Sequence, residues 1–282
     1  VKPNITFVLP ILAITAAGLP MATAAVSYTA EGLLVTQDFN SLPVVNTTLV
    51  GTGVVGFQAA LPGASEWEVA RRGGSGLTDT AINVAYATGG RFYSAGSDAA
   101  DRAVAALGSG SFFGAVGTSL VNNSGVTLTS FTVSYAHEIW AVQGTTTQNA
   151  TEDRMAFAYG FSGGAATAGN YLTSAALIAL TDLDAVSPAS NMVIGAVNGD
   201  NPNRQRDGNS AAFRTMKTAT VSGISWEPGA SLYLRWSDTD SSGFDATQGI
   251  DDFAFSAVVP EPSVWISLMV GAAAVLLPRR RW

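Results

Sequence analysis

The sequence predicts an all-β protein, a two-sheet β-sandwich of jelly-roll type, with a helix at each end of the chain. Three observations predict it. Thr, Val, Ser, Gly and aromatic residues dominate, while Asp, Glu, Lys and Arg make up only 12% of the 282 residues, the profile of a sheet-rich domain. Apolar and polar residues alternate with period two in several runs, so each run presents one face to a core. Gly, Pro, Asn and Asp gather between those runs, where the chain has to reverse.

Lys2, the apolar stretch 5–19 and the small residues Ala22-Thr23-Ala24-Ala25 stand in the order of a secretory signal peptide. Residues 1–25 are therefore set apart as a signal helix, and Pro10 and Pro20 favour its removal over a permanent anchor. Residues 26–258 follow as one β-sandwich domain, since no change of composition marks an internal boundary. Within it, Ile82, Val84 and Tyr86 share a face. In 127–139, Phe131, Val133, Tyr135 and Ile139 oppose Thr132, Ser134, Ala136 and Glu138. Met155, Phe157, Tyr159 and Phe161 repeat the pattern, as do Leu232, Leu234 and Trp236, and Phe253 with Phe255 closes the body. Turn chemistry separates these runs at 72–79, 122–125, 162–170, 198–210 and Glu227-Pro228-Gly229. Segments 99–107 and 174–183 read as short helices.

The last segment, 259–282, has three parts. Pro260-Glu261-Pro262 is a stiff, extended hinge. The run 264–277 carries no charge and forms a helix to satisfy its backbone in lipid. At about 1.5 Å per residue it falls short of a hydrocarbon core of about 30 Å, so Arg279, Arg280 and Arg281 complete the span by snorkelling. The same arginines hold the end of the chain in the cytoplasm, which places the body outside. This three-part order resembles the PEP-CTERM sorting signal of Gram-negative bacteria. The resemblance implies processing by exosortase after passage through the general secretion machinery. It also implies transient anchoring in the inner membrane through the C-terminal helix, then delivery to the cell surface or its extracellular exopolysaccharide matrix.

The body carries a second resemblance. Gln37-Asp38-Phe39-Asn40-Ser41-Leu42-Pro43 looks like the opening strand of exported bacterial β-sandwich domains of unknown activity. Asp101-Arg102-Ala103, 121–125 leading to 129–135, Asn198-Gly199-Asp200, Leu234-Arg235-Trp236-Ser237-Asp238 and Gly249-Ile250-Asp251-Asp252-Phe253 follow in the same order. The Ile-Asp-Asp-Phe ending also resembles the final strand of lectin-like and carbohydrate-binding jelly rolls.

Charge and composition exclude several functions. The formal charge is −7, and the body is more acidic still once Lys2 and the three terminal arginines are set aside. Such a surface repels nucleic acid. With no cysteine there is no disulfide framework and no thiolate metal site.

His137 is the only histidine, which removes most acid–base and nucleophile constellations. It reads as a hydrogen-bonded sheet residue on the side of Tyr135 and Ile139. Glu66 and Glu68 flank Trp67 on one strand face, the wrong geometry for a two-sided glycosidase pair, with Glu138 or Asp251 as more distant partners.

Asp238-Thr239-Asp240-Ser241-Ser242-Gly243, with Asp245, Asp251 and Asp252, resembles the start of a calcium loop. Gly249 stands where an EF-hand has its glutamate, so two readings stay open. One is a structural calcium on Asp238, Asp240, Asp245, Asp251 and Asp252. The other is an Asp-rich turn with an arginine, for which Arg235 is the candidate, pairing the strand aspartate. Recognition residues are expected in loop 198–210, where Asn201 and Arg204 suit sugar hydroxyls, and at Trp140 and Trp226 as a stacking platform.

The expectation is a secreted, non-catalytic protein of the cell surface or exopolysaccharide matrix. The alternative is a carbohydrate-binding or adhesive module, and a polysaccharide hydrolase comes third.

Overall fold

The computed structural model describes residues 25–49, 58–73, 81–84, 89–97, 100–142, 152–164, 166–192, 205–238, 240–241 and 245–259. Residues 1–24 and 260–282, which hold the expected signal and sorting segments with Pro260, Glu261, Pro262, Arg279, Arg280 and Arg281, lie outside the described residues. Among the described residues no helix is long and apolar enough to cross a membrane.

The first half of the chain supplies β1 (Val26–Tyr28), β2 (Val35–Gln37), β3 (Thr47–Thr48), β4 (Gln58–Leu61), β5 (Ala64–Gly73), β6 (Ala81–Asn83), β7 (Arg91–Ala95) and β8 (Ala103–Leu107). The second half supplies β9 (Phe113–Asn122), β10 (Leu128–Val142), β11 (Asp153–Phe161), β12 (Ile178–Ala179), β13 (Ala185–Ser187), β14 (Arg214–Trp226), β15 (Ser231–Asp238) and β16 (Ala246–Val258). Among the described residues, helix is confined to a 3₁₀ turn at Thr181–Leu183 and a single turn, α1, at Ala189–Met192.

The strands form two sheets. The first runs β12-β11-β15-β9-β5-β4, with β1 on the free end of β9 and β13 beside β11. The second runs β14-β10-β16-β8-β7-β6-β3, with β2 beside β16. The inner faces meet in one core, and its centre is aromatic. Trp236 of β15 lies 5.8 Å from Trp67, 5.3 Å from Tyr135, 4.9 Å from Phe157 and 6.1 Å from Phe253 between ring centroids, the edge-on and offset spacings that aromatic rings prefer. At one end Tyr28 fixes the two sheets together: its hydroxyl donates to the Ala257 carbonyl at 2.8 Å and accepts from the Ala257 N–H at 2.7 Å.

The hairpins follow their turn residues. Pro62-Gly63 joins β4 to β5, and Gly63 has φ of +85°, a backbone shape glycine adopts without cost. A Cβ there would lie 1.9 Å from the Ser41 carbonyl oxygen, so the site admits no side chain. Glu227-Pro228-Gly229 joins β14 to β15 in the same way, with Gly229 at φ +80°.

Two expected helices are corrected. Residues 103–107 of the 99–107 segment are β8, whose every residue is buried: Val104 and Ala106 face the central core while Ala103, Ala105 and Leu107 enter a second cluster. A strand buried on both faces loses its period-two signature, and an alanine-rich one then imitates a helix. Residues 174–183 hold only β12 and the 3₁₀ turn.

Candidate functional site

Among the described residues, three polar centres are candidates for a functional site. The first is the outer face of the first sheet, and it follows from strand register. Ala156, Ser237, Ala115, Ala70 and Gln58 lie side by side across β11, β15, β9, β5 and β4. The next row holds Ala158, Arg235, Gly117, Glu68 and Ala60. The result is a floor of small residues from which Gln58, Glu68, Arg235 and Ser237 stand up, with Arg72 reaching in from the end of β5.

Segment 166–177 lies across part of this floor, with Ala166, Tyr171, Leu172 and Leu177 packed on Ala70, Ala115 and Tyr233. Gly117 lets them down: a Cβ there would meet Leu172 at 2.8 Å and Tyr171 at 3.0 Å. Ala156 and Ala60 remain exposed at the margins, and Arg72 is half-buried.

The polar contacts on this face are sparse. Gln58 Nε2 donates to Glu68 Oε1 at 2.8 Å and to the Ala168 carbonyl at 3.0 Å. Arg72 donates to the Ser237 hydroxyl. Arg235 donates only to the carbonyls of Tyr171 and Ser174. Burial, and then the nearby Arg72, lowers the Arg235 guanidinium to about 10; burial lowers Arg72 as well. The expected pairing of Arg235 with a strand aspartate is thus corrected: Asp251 and Asp252 are on β16, in the other sheet.

The second centre lies between two bulges of the β10–β16 pairing, at Ser134/Ala136 and Ile139/Ala141. Such irregularities re-aim side chains, and Asp252 takes φ of +45° at the first. Glu138, fully buried, accepts from Trp140 Nε1 and Arg214 Nε, each at 3.0 Å. Arg214 also pairs with Asp252. Burial pushes Glu138 up to about 7 against the pull of Arg214 and Trp140. Asp251, also buried, is raised to about 8 by desolvation and by the carboxylates of Glu138, Asp252 and Asp101, although an Asp252 backbone hydrogen bond opposes this.

Beside them His137 Nε2 lies 3.2 Å from Gln248 Oε1, which also accepts from Ser187. Burial lowers His137 to about 4, so the ring is neutral. This is the hydrogen-bonded sheet histidine of the sequence reading.

The third centre caps the end of β11 and β15. Asp153 accepts from the Ala246 and Arg154 amides and the Ser241 hydroxyl at 2.7–2.8 Å. Asp245 accepts from the Ser241 amide at 2.9 Å, and burial followed by the Asp153 charge raises it to about 8. The five aspartates of the expected calcium set are therefore divided. Asp238, Asp240 and Asp245 belong to this end of the sandwich, with Asp153, which sequence reasoning missed because it lies 85 to 92 positions earlier in the chain. Asp251 and Asp252 belong to the Glu138 centre. Among the described residues no group of three or more His, Asp or Glu converges to hold a metal.

The stacking platform is corrected too. Trp140 and Trp226 are 1% and 0% exposed. Trp140 is roofed by Gly208, where a Cβ would stand 2.4 Å from the indole. Trp226 packs on Tyr28 and Phe255 inside the core. Glu66 and Glu68 do face outward while Trp67 faces the core. Asn201 and Arg204 lie outside the described residues.

No family model matches the chain, and no curated protein matches it. Among solved structures, it is similar to TmCBM61, determined in complex with β-1,4-galactotriose, at 13% identity and a TM-score of 0.32 over 68% of this chain and 89% of that one.

Proposed function

We propose that this chain is an exported, non-catalytic β-sandwich that binds polysaccharide at the bacterial surface through the outer face of its first sheet. One observation carries the reading. On that face, hydrogen-bonding side chains stand in rows above an alanine and glycine floor, with solvent reaching the margin at Ala156 and Arg72. Saccharides are recognised by such convergent donors and acceptors on a preformed surface.

The absence of a role for the buried centres in turnover supports a binding function. His137 is neutral and held by Gln248, and Glu138 is sequestered under Trp140 and Arg214. The PEP-CTERM resemblance of 259–282 supports delivery by exosortase, and no cation is needed for the face described.

A panel of soluble polysaccharides cast into native gels tests the binding. The full-length protein is retarded by at least one of them and releases no reducing ends from any. Equal mobility in every gel would remove the reading.

A further inference from the structure

The outer face of the first sheet has an electrostatic peculiarity that a neutral sugar does not answer. In a chain with an excess of acidic residues, two arginines, Arg72 and Arg235, meet there, and no carboxylate among the described residues pairs with them. No ion pair involves either one among the described residues. Their positions follow from register. Arg235 and Ser237 are neighbours on the outer face of β15, and Arg72 at the end of β5 reaches across β9 to donate to the Ser237 hydroxyl.

Arg235 is 7% exposed, and its Nε is buried with no acceptor; the Nε of Arg72 is buried and unanswered as well. The acceptors they do have are neutral: one hydroxyl and two backbone carbonyls. Of the two carboxylates that β5 places on this face, Glu68 is occupied by Gln58 and Glu66, which is exposed, forms no ion pair with either arginine.

Bringing two guanidinium groups out of water and beside each other is unfavourable on both counts, and unmet buried donors add to the cost. A protein keeps such an arrangement where an anion completes it. Guanidinium forks match the planar, two-oxygen geometry of a carboxylate. The small-residue floor is exposed at Ala156 and Arg72 is half-buried, so Arg72 is the guanidinium that a carboxylate carried on a sugar ring meets first.

We propose that Arg72, Arg235 and the Ser237 hydroxyl form a binding site for the carboxylate of a hexuronic acid, making the ligand of this protein an acidic polysaccharide. The proposal rests on the saccharide-binding reading above and specifies its substrate class.

The test is thermal unfolding of the full-length protein with galacturonate, galactose or sulfate, repeated on Arg72→Gln. Galacturonate at about one hundred times its Kd raises the Tm by about 5 °C; galactose at the same concentration does not. In Arg72→Gln, affinity falls at least about tenfold, so the galacturonate shift drops to about half or less, while the Tm without ligand is unchanged or higher because a like-charge contact has gone. That second readout separates loss of a site from loss of the fold.

Galacturonate giving no shift, or the same shift in Arg72→Gln, would overturn the site. Sulfate matching galacturonate would overturn the sugar acid as its ligand. Galactose matching galacturonate would overturn the carboxylate preference and leave saccharide binding standing. A galacturonate shift with no retardation by any uronate polymer would instead sink the polysaccharide reading.

Discussion

At the scale of single residues, the buried ionisable groups decide how the protein responds to its solvent. Glu138, Asp245 and Asp251 have folded-state values near 7, 8 and 8, well above the values near 4 of an unfolded chain. Between those limits the folded protein holds protons that the unfolded chain releases. Stability is therefore highest in acid and declines as pH rises through the folded values. His137, lowered to about 4, opposes this only between about pH 4 and 6.5. The decline is unopposed from about pH 6.5 to 8.5, where urea midpoints fall, and Asp251→Asn flattens that fall.

A second residue-scale expectation concerns Arg214, whose guanidinium serves both Glu138 and Asp252. Arg214→Ala leaves Glu138 buried without its cation and costs about 2–4 kcal/mol in urea unfolding, with the loss shrinking as pH falls below 7 and Glu138 takes up a proton. Trp236→Ala, which empties the centre of the aromatic core, costs about 3–5 kcal/mol at any pH.

At the scale of elements, the interior strands carry the stability and the edges carry the openings. β9, β15, β10 and β16 each have neighbours on both sides, whereas β4, β12, β3 and β14 end their sheets. Amide exchange is accordingly slowest in β9, β15, β10 and β16, and segment 166–177 exchanges faster than the sheet beneath it. Gly117→Ala would place a Cβ 2.3 Å from the Leu234 carbonyl oxygen and against Tyr171 and Leu172. It costs about 1–3 kcal/mol and raises exchange in 166–177 more than in β10 or β16.

Elements are also where the legibility of the sequence can be judged. β10, β11, β15 and the end of β16 were readable because one face of each is large and apolar and the other small or polar, and the Glu227-Pro228-Gly229 turn was readable from its chemistry. β8 was not, because both its faces are covered. β14 was not, because Thr and Ser occupy both of its half-exposed faces. The candidate site was less legible than the fold. Arg72 and Arg235 are far apart in sequence and meet only through the register of β5, β9 and β15. Trp140 and Trp226 misled, since a tryptophan suited to stacking on a sugar is equally suited to filling a core.

At the scale of the molecule, two sheets close a single aromatic core and turn different faces to solvent. On the second sheet, Glu138 is engaged by Trp140 and Arg214, and Gly208 roofs the Trp140 indole. The first sheet leaves guanidinium donors unanswered. The proposed saccharide site rests on that pair of arginines. The most direct measurement is a crystal structure of the full-length protein with a uronic-acid oligosaccharide. The account predicts a sugar carboxylate within hydrogen-bonding reach, about 2.7–3.0 Å, of both Arg72 and Arg235. A saccharide bound over Trp140 and Arg214 instead, or an anion-free arginine pair at saturating ligand, would contradict it.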